Sequence, residues 1–543
     1  MPSMPTTEGR PSFDNMKKRK APLKMATKTV TITSAPRLVP RLSSSAPISR
    51  SIPISESPKP TSNGHSRTTS KPRKSSTPIS GSSRQGSKEP VQRIKKDQQS
   101  RTKQSSPARY TPLESDKSEG EDDGVDKPRK RTRLEPEKEI DEKRKVRDVQ
   151  AFSQDDDGGF HMIHAYDIAN NKPDEHGRTK YEAFFTALNV EEEECPTIEL
   201  QYPTSLQAEK YQLVKPTDAA DFRPIGEIQE NIKFMAAYYL DSASAEKVHS
   251  EYGSGIVQKL LSHAKAGKNG KVGHQSQFVE LVNQFNALLA EKRRDGTIAR
   301  KVDQMRRVDL PLVNHIIKNQ IYARTVSPRV NLVRQYEGFS DNVYGELLPK
   351  FLNKIFEETR LRSDQVFVDL GSGVGNCVLQ AALETGCESW GCEMMKNCHA
   401  LADLQATEFA ARCRLWGIKP GRIRLIHGDF LENREIREVL KRADVVLINN
   451  QAFTAKLNNS LTQVILDLKE GCQIVSLKPF RSPTHQIKTT NVNDPINVLQ
   501  VTEKDRFSAM VSWTDDSGYW YLQRKDGREL QAFMERHGGF EKC

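Results

Sequence analysis

Residues 366–376 read VFVDLGSGVGN, and this stretch decides the fold. Val366, Phe367 and Val368, with Leu370 after Asp369, make a short β-strand. Gly371, Ser372, Gly373, Val374 and Gly375 make a turn, and Asn376 opens the helical run CVLQAALE. Strand, glycine turn and helix form the first half of a nucleotide-binding α/β unit, in which glycines let the backbone approach a ligand at a helix N-terminus. The spacing is G-x-G-x-G rather than G-x-G-x-x-G, so the third glycine falls one place early for a dinucleotide pyrophosphate. Asp369, at the end of the strand, would repel a pyrophosphate and suits a cationic ligand better. A glycine turn alone often does no more than pack a helix on a strand, so the ligand class rests on acids further along the chain.

Downstream, strands alternate with helices. ESWGCEM (388–394) reads as a second strand ending in Glu393, roughly 20 residues past the loop, where an acid binds ribose hydroxyls in such folds. A long helix over 396–416 follows, then RIRLIHGDF (422–430), a third strand with Asp429 and Phe430 at its end. DVVLINNQAF (444–453) is a fourth strand ending in Asn449 and Asn450, and EGCQIVSLKPF (470–480) a fifth. FSAMVSW, from Phe507, and GYWYLQRK, from Gly518, alternate and predict an antiparallel hairpin closing the sheet. The expected class is α/β, a doubly wound Rossmann-like sheet over 331–543 with its ligand at the carboxyl ends of the strands. S-adenosylmethionine carries a sulfonium and an ammonium, and the glycine turn resembles its binding loop in class I methyltransferases. In that fold an acid such as Asp429 accepts from the adenine amino group, while an aromatic ring such as Phe430 covers the base.

The chain has 543 residues and a net charge of +12, unevenly spread: residues 1–150 hold 34 Lys+Arg against 18 Asp+Glu, and residues 151–543 hold 49 against 53. The basicity thus belongs to the N-terminal region, 1–147, which is rich in Ser, Thr, Pro, Lys and Arg and predicted to be disordered. Its clusters KKRK (17–20), KPRK (71–74), RIKK (93–96) and KPRKRTR (127–133) suit polyanion phosphates, and the last also reads as a nuclear-import signal. An acidic patch, ESDKSEGEDDGVD, lies at 114–126. Eight scattered cysteines include no C-x-x-C pair, and Cys387, Cys392 and Cys398 lack zinc-ligand spacing, so reduced thiols and no metal are expected. With no secretory signal and no apolar run near the ~20 residues a membrane span needs, the expectation is a soluble intracellular protein.

Between 148 and 330 a mostly helical lobe is predicted. FHMIHAYDI and TIELQYP read as short strands separated by EEEE at 191–194. Ile228, Ile232 and Met235 to Tyr239 fit one helix, and Phe278, Leu281, Val282, Phe285, Leu288 and Leu289 fit another. PLVNHIIKNQIYA (311–323) suggests a third, with Pro311 near its start. GFSDNVYGE, with Phe339 and Tyr344, is a polar loop just before the cofactor strand, either a closing lid or an ordinary connector.

NNQAF, from Asn449, stands where amino-group methyltransferases of this class keep an Asn/Asp-Pro-Pro-aromatic motif. Methyl transfer is an in-line displacement, so the amine must be neutral and aligned. An Asn oxygen can accept the amine hydrogens, and aromatic walls desolvate an ammonium and lower its pKa. Phe453, Trp513, Trp520 and Tyr521 are the candidate walls, with a place in the core as the alternative for each. FSDNVYGELLPKFL, VFVDLGSGVGNCVLQAA, HGDF, VLINNQAF, IVSLKPF and VSWTDDSGYWYL occur in this order between Phe339 and Leu522, within a resemblance that covers roughly 200–540. Together they resemble the disruptor-of-telomeric-silencing family, the non-SET methyltransferases of lysine 79 of histone H3, in its fungal form with a basic N-terminal extension.

The resemblance implies that Tyr344, Gly345, Glu346 and Leu347 close on the cofactor. Phe367, Val368, Asp369, Leu370, Gly371, Ser372, Gly373, Val374, Gly375 and Asn376 would cradle its methionine part, with Asp369 facing the ammonium. Glu393 would hold the ribose, and Asp429 and Phe430 the adenine. Asn450, or its neighbour Asn449, would sit beside the transferred methyl, with Tyr521 lining the lysine channel. Gln451 departs from the family, which often has an aromatic residue there. The resemblance further implies S-adenosyl-L-methionine as cofactor, and the nucleosome as partner, through histone H3 and DNA and with histone H4 and ubiquitinated histone H2B as candidates. It also implies a nuclear location and roles in telomeric silencing and the DNA-damage response. The alternatives are an RNA, DNA or non-histone amine methyltransferase, disfavoured because no Pro-Pro-aromatic follows to stack a flipped base, and a chromatin scaffold that has lost activity.

Overall fold

A computed structural model describes residues 141–153, 160–189, 193–204, 207–251, 253–333, 335 and 344–537. The basic region up to 140, Glu191 and Glu192 of the acidic run, and most of the loop before Tyr344 lie outside the described residues.

Seven strands form the main sheet: β5 (Val366–Leu370), β6 (Glu388–Glu393), β7 (Ile423–His427), β8 (Val445–Ile448), β9 (Gln473–Ser476), β10 (Leu499–Arg506) and β11 (Gly518–Lys525), in the order β10-β11-β9-β8-β5-β6-β7. The neighbours from β9 to β7 pair in parallel, while β11 runs antiparallel to β9 and to β10. All of β5 is buried, as expected of a central parallel strand covered on both faces. Its alternate residues feed two cores. Val366, Val368 and Leu370 pack with Val446, Ile448 and Ile474; Phe367 packs with Val445, Leu447, Val475, Phe351 and Trp520. The chain runs outward from β5 through β6 to β7, then returns to β8 on the other side of β5. The carboxyl ends of β5 and β8 therefore flank the crevice where such sheets bind ligands.

The preceding lobe carries two small antiparallel sheets, β1 (Tyr181–Ala183) with β4 (Val214–Pro216) and β2 (Thr197–Leu200) with β3 (Glu209–Gln212). The predicted helices are present at Pro224–Tyr239 and Gln275–Arg294. The lobe shares one continuous core with the sheet domain, since Phe278, Phe285 and Ile321 join Leu379, Ala382, Phe409 and Trp416. A buried ionic cluster reinforces this junction. Glu209 accepts from Arg324 at 2.7 Å and from Arg412 at 2.5 Å, Arg324 also forks onto Glu227 at 2.8 and 2.6 Å, and Arg412 reaches Glu408 at 2.6 Å.

Two strand expectations are corrected, and two further elements are refined. FHMIHAYDI is not a strand: Ala165–Ile168 is a helical turn, and the backbone of Ile163 pairs with side chains, its N–H with Glu408 and its carbonyl with Arg324 and Arg412. FSAMVSW is not the hairpin partner of β11. That strand is β10, LQVTEKDR, an edge strand whose polar alternation masked it. The helix over 311–323 holds, but it widens to a π-helix at His315–Tyr322. The folded body also begins before 148: Arg147 bridges Ile418, Val146 is buried, and Lys419 N donates to Val146 O at 2.8 Å.

Candidate active site

A cavity of about 450 Å³ opens at the carboxyl ends of β5, β6 and β8. Its floor is the glycine loop, where Gly371, Gly373 and Gly375 all have positive φ (86°, 54° and 91°). The loop amides are held in place: Gly371 N and Ser372 N donate to Cys392 O, and Gly373 N donates to Glu393 Oε2 at 2.7 Å. A Cβ on Gly373 would lie 3.0 Å from the Tyr344 ring, so the cradle needs glycine for space as well as for φ.

Residues 344–348 form one wall, clamped by the loop between β10 and β11. Glu346 N donates to Ser512 Oγ and Ser512 N to Glu346 O, both at 2.9 Å, and Leu347 bridges Val511. Trp513 covers Gly345 so closely that a Cβ there would come within 2.8 Å of the indole. The half-buried Glu346 carboxylate accepts from the Tyr344 hydroxyl, from Asn376 Nδ2 at 3.3 Å and from the Tyr322 hydroxyl. Burial raises its pKa, and the two tyrosines oppose the shift.

Asp369 lies 3% exposed at the back of the cavity. Burial pushes its carboxyl up to about 7; the Cys377 thiol, donating to it, works against the shift, and the charge of Glu393 adds to it. No Lys or Arg is among the groups acting on it, so a cationic ligand would complete the site. Glu393, also raised by burial, is fixed by Gly373 N on one oxygen and by Met395 N, at 2.7 Å, on the other. Beyond it, Asp429 Oδ1 accepts from Leu431 N at 2.8 Å, which holds the acid at the mouth. Phe430 and Phe453 stack with centroids 6.4 Å apart, forming an aromatic end to the cavity.

The two asparagines after β8 have separate tasks. Asn449 lines the cavity; its Nδ2 donates to Gly345 O at 3.1 Å, while its buried Oδ1 has no partner among the described residues. Asn450 is 1% exposed and faces away. Its Oδ1 accepts from Leu477 N and Lys478 N, and its Nδ2 donates to Asn458 Oδ1 and Lys478 O. It ties the end of β8 to the end of β9, so of the two expected asparagines Asn449 is the one that lines the cavity.

Of the expected cofactor residues, Tyr344, Gly345, Glu346, Leu347, Asp369, Gly371, Ser372, Gly373, Val374, Asn376, Glu393, Asp429 and Phe430 line this cavity. Phe367, Val368 and Leu370 are core, and Gly375 packs beneath Leu425 and Ala402 instead. Three channel candidates are placed differently. Trp520 is wholly buried and edge-on to Phe351 at 5.8 Å, and Tyr521, one place along β11, turns to the opposite face and hydrogen-bonds Glu503. Phe453 lies at the Phe430 end rather than in a separate channel. Cys377, Met394, Met395, Leu447, Thr454 and Leu457 are lining residues that sequence reading missed. Only Thr454 carried a local signal, as the N-cap that accepts from Leu457 N.

A glycine cradle at the switch point of a doubly wound sheet, a buried acid without a cation, a second acid at the end of β6 and an acid–aromatic pair after β7 define a class I S-adenosylmethionine-dependent methyltransferase. The donor set fits that cofactor: the acids Asp369, Glu393 and Asp429 and the Phe430 ring line one cavity with the glycine loop. Residues 322–524 match the family described as Histone methylation protein DOT1. Proteins named "Histone-lysine N-methyltransferase, H3 lysine-79 specific" are similar over most of the chain. The one from Emericella nidulans is 47% identical over 407 residues, covering 75% of this chain and 78% of the relative. That from Aspergillus fumigatus is 48% identical over 410 residues, with the same shares. That from Gibberella zeae is 42% identical over 422 residues, 76% of this chain and 81% of the relative. The chain belongs to this histone methylation family.

Proposed function

We propose that the protein transfers methyl from S-adenosylmethionine to the ε-amino group of lysine 79 of histone H3, acting on nucleosomes in the nucleus. The single observation that carries the chemistry is Asn449, whose Oδ1 is a buried, unpaired acceptor at the cavity while its amide nitrogen is fixed by Gly345 O. A fixed acceptor aligns an incoming neutral amine by taking its hydrogens and needs no reorganisation as the reaction proceeds. When bound, the cofactor supplies an electrophilic methyl on its sulfonium. Asp369 and the glycine loop hold the amino-acid end of the cofactor, and Trp513 packs on Gly345, whose carbonyl fixes the Asn449 amide. The named specificity of the fungal relatives supports lysine 79 of H3 as the target.

The nucleosome as a whole, its DNA, histone H4 and ubiquitinated histone H2B are the partners in this reading. The basic clusters of 1–140 support DNA contact, and KPRKRTR supports nuclear import. The test is mass spectrometry after incubating the protein and S-adenosylmethionine with intact nucleosomes, free H3 or bulk RNA. Methyl on lysine 79 in nucleosomes, lost in Gly373→Arg, is the expected result. Methyl on RNA alone would overturn the substrate.

A further inference from the structure

Gln405 lies on the helix Lys396–Leu415, wholly buried and outside the cavity wall. Its Nε2 donates twice, to Val374 O of the glycine loop at 2.6 Å and to Asn376 Oδ1 at 3.0 Å. Its Oε1 is buried and meets no donor. That pattern fixes the amide's orientation, because the flipped form would press a carbonyl oxygen against two acceptors. Asn376, one link further, presents Nδ2 to Glu346 Oε1 at 3.3 Å. Asn376 can offer that donor only while its oxygen points back at Gln405. The same helix carries Glu408 and Arg412, anchored in the ionic cluster, so the platform beneath Gln405 is rigid.

We propose that Gln405 is a positioning residue for cofactor capture: it sets the Asn376 amide so that Glu346 meets a donor, and it pins the glycine loop through Val374. This rests on the cofactor reading above. Gln405 touches no reacting atom, so its contribution belongs to cofactor affinity rather than to the chemical step. Without it, Asn376 is free to turn its oxygen onto the Glu346 carboxylate, and the segment 344–348 loses its tie to the loop.

The experiment uses the full chain with Gln405→Met, which keeps the volume and loses both donors, and Gln405→Glu. S-adenosylmethionine binding is measured by calorimetry from pH 5.5 to 8.5, with nucleosome methylation at saturating cofactor alongside. Gln405→Met is expected to raise Kd and KM for the cofactor about tenfold while kcat changes less than twofold. At pH 8 Gln405→Glu sets a carboxylate against Val374 O and Asn376 Oδ1 and binds more weakly still. On acidification its carboxyl regains one O–H donor, so its deficit relative to wild type narrows as pH falls. A side chain that served packing alone would leave Gln405→Met, which keeps the volume, binding the cofactor like wild type. Unchanged Kd in both variants, a kcat loss at unchanged KM, or a pH-independent Gln405→Glu deficit would each overturn the proposal. Wild type failing to bind S-adenosylmethionine would instead overturn the cofactor reading. Should Gln405→Met fold poorly, the split between a raised cofactor Kd and KM and an unchanged kcat in Gln405→Glu still decides.

Discussion

Asn449 and Asn450 differ by one position and by which face of the chain they serve, and this gives the sharpest prediction at residue scale. Asn449→Ala removes the free acceptor and should lower kcat by about 10²-fold, the scale set by losing one preorganised polar group, with melting temperature nearly unchanged. Asn450→Ala removes a side chain that makes four hydrogen bonds. It should cost about 2–4 kcal/mol of stability, measured by denaturant unfolding. The reverse assignment of the two losses would refute the geometry. Asp369 gives a second prediction. Its folded carboxyl titrates at about 7, above the unfolded range near 4, so the ionised form is disfavoured by folding. The stability it contributes is present at acid pH and is lost as pH rises through about 7. Asp369→Asn should therefore melt higher than wild type at pH 8 without cofactor, and no differently near pH 4. Cofactor affinity in wild type should run the other way, rising with pH up to about 7 and then levelling, because binding an ammonium requires the carboxylate. A flat affinity profile would show that Asp369 does not face the cation.

At the scale of elements, β5 and β8 were legible because buried parallel strands are continuous hydrophobic runs whose carboxyl ends carry the polar residues of the site. The strand β10 was not, because LQVTEKDR is an edge strand with exposed charges at alternate positions. FSAMVSW mimicked a strand, yet Ala509 turns left-handed at φ 55° and the segment serves as a clamp on Leu347. Tyr322 was read as one more residue of a helical stripe; the π-helix that carries it and its bond to Glu346 have no local signature. The ionic cluster was equally invisible, since Glu209 and Arg412 stand 203 positions apart. Its energetic sign follows from burial. Arg412→Met would leave Glu209 and Glu408 short of a cation in the interior, and should cost about 3–5 kcal/mol in denaturant unfolding. A double variant that also neutralises Glu408 should recover part of that loss. No recovery would mean that the helix packing, not the charge, is what Arg412 supplies.

At the scale of the whole molecule, the basic region and the folded body separate at a point that composition placed slightly late. Residues 141–152 form a strap along the body: Ser363 Oγ donates to Asp141 at 2.5 Å, Arg144 reaches Lys419 O at 2.6 Å, and Val146 and Ala151 are buried. Ser363 and Lys419 precede β5 and β7, so the strap crosses the amino ends of the strands, opposite the cavity. Two truncations therefore test different things. Removing 1–140 spares the strap and should leave melting temperature and cofactor affinity unchanged. It also removes the five charges of KPRKRTR with the other clusters, so the slope of log affinity for nucleosomes against log salt should fall by at least about 4. Removing 1–153 should in addition destabilise the body, since burying Val146 alone is worth roughly 1.5–3 kcal/mol and the carbonyl of Lys419 loses its donor. Unchanged nucleosome affinity at every salt concentration after the first cut would remove the basic region from the binding mechanism. Equal melting temperatures for the two truncations would show that the strap contributes no stability, and the body would then begin after 153.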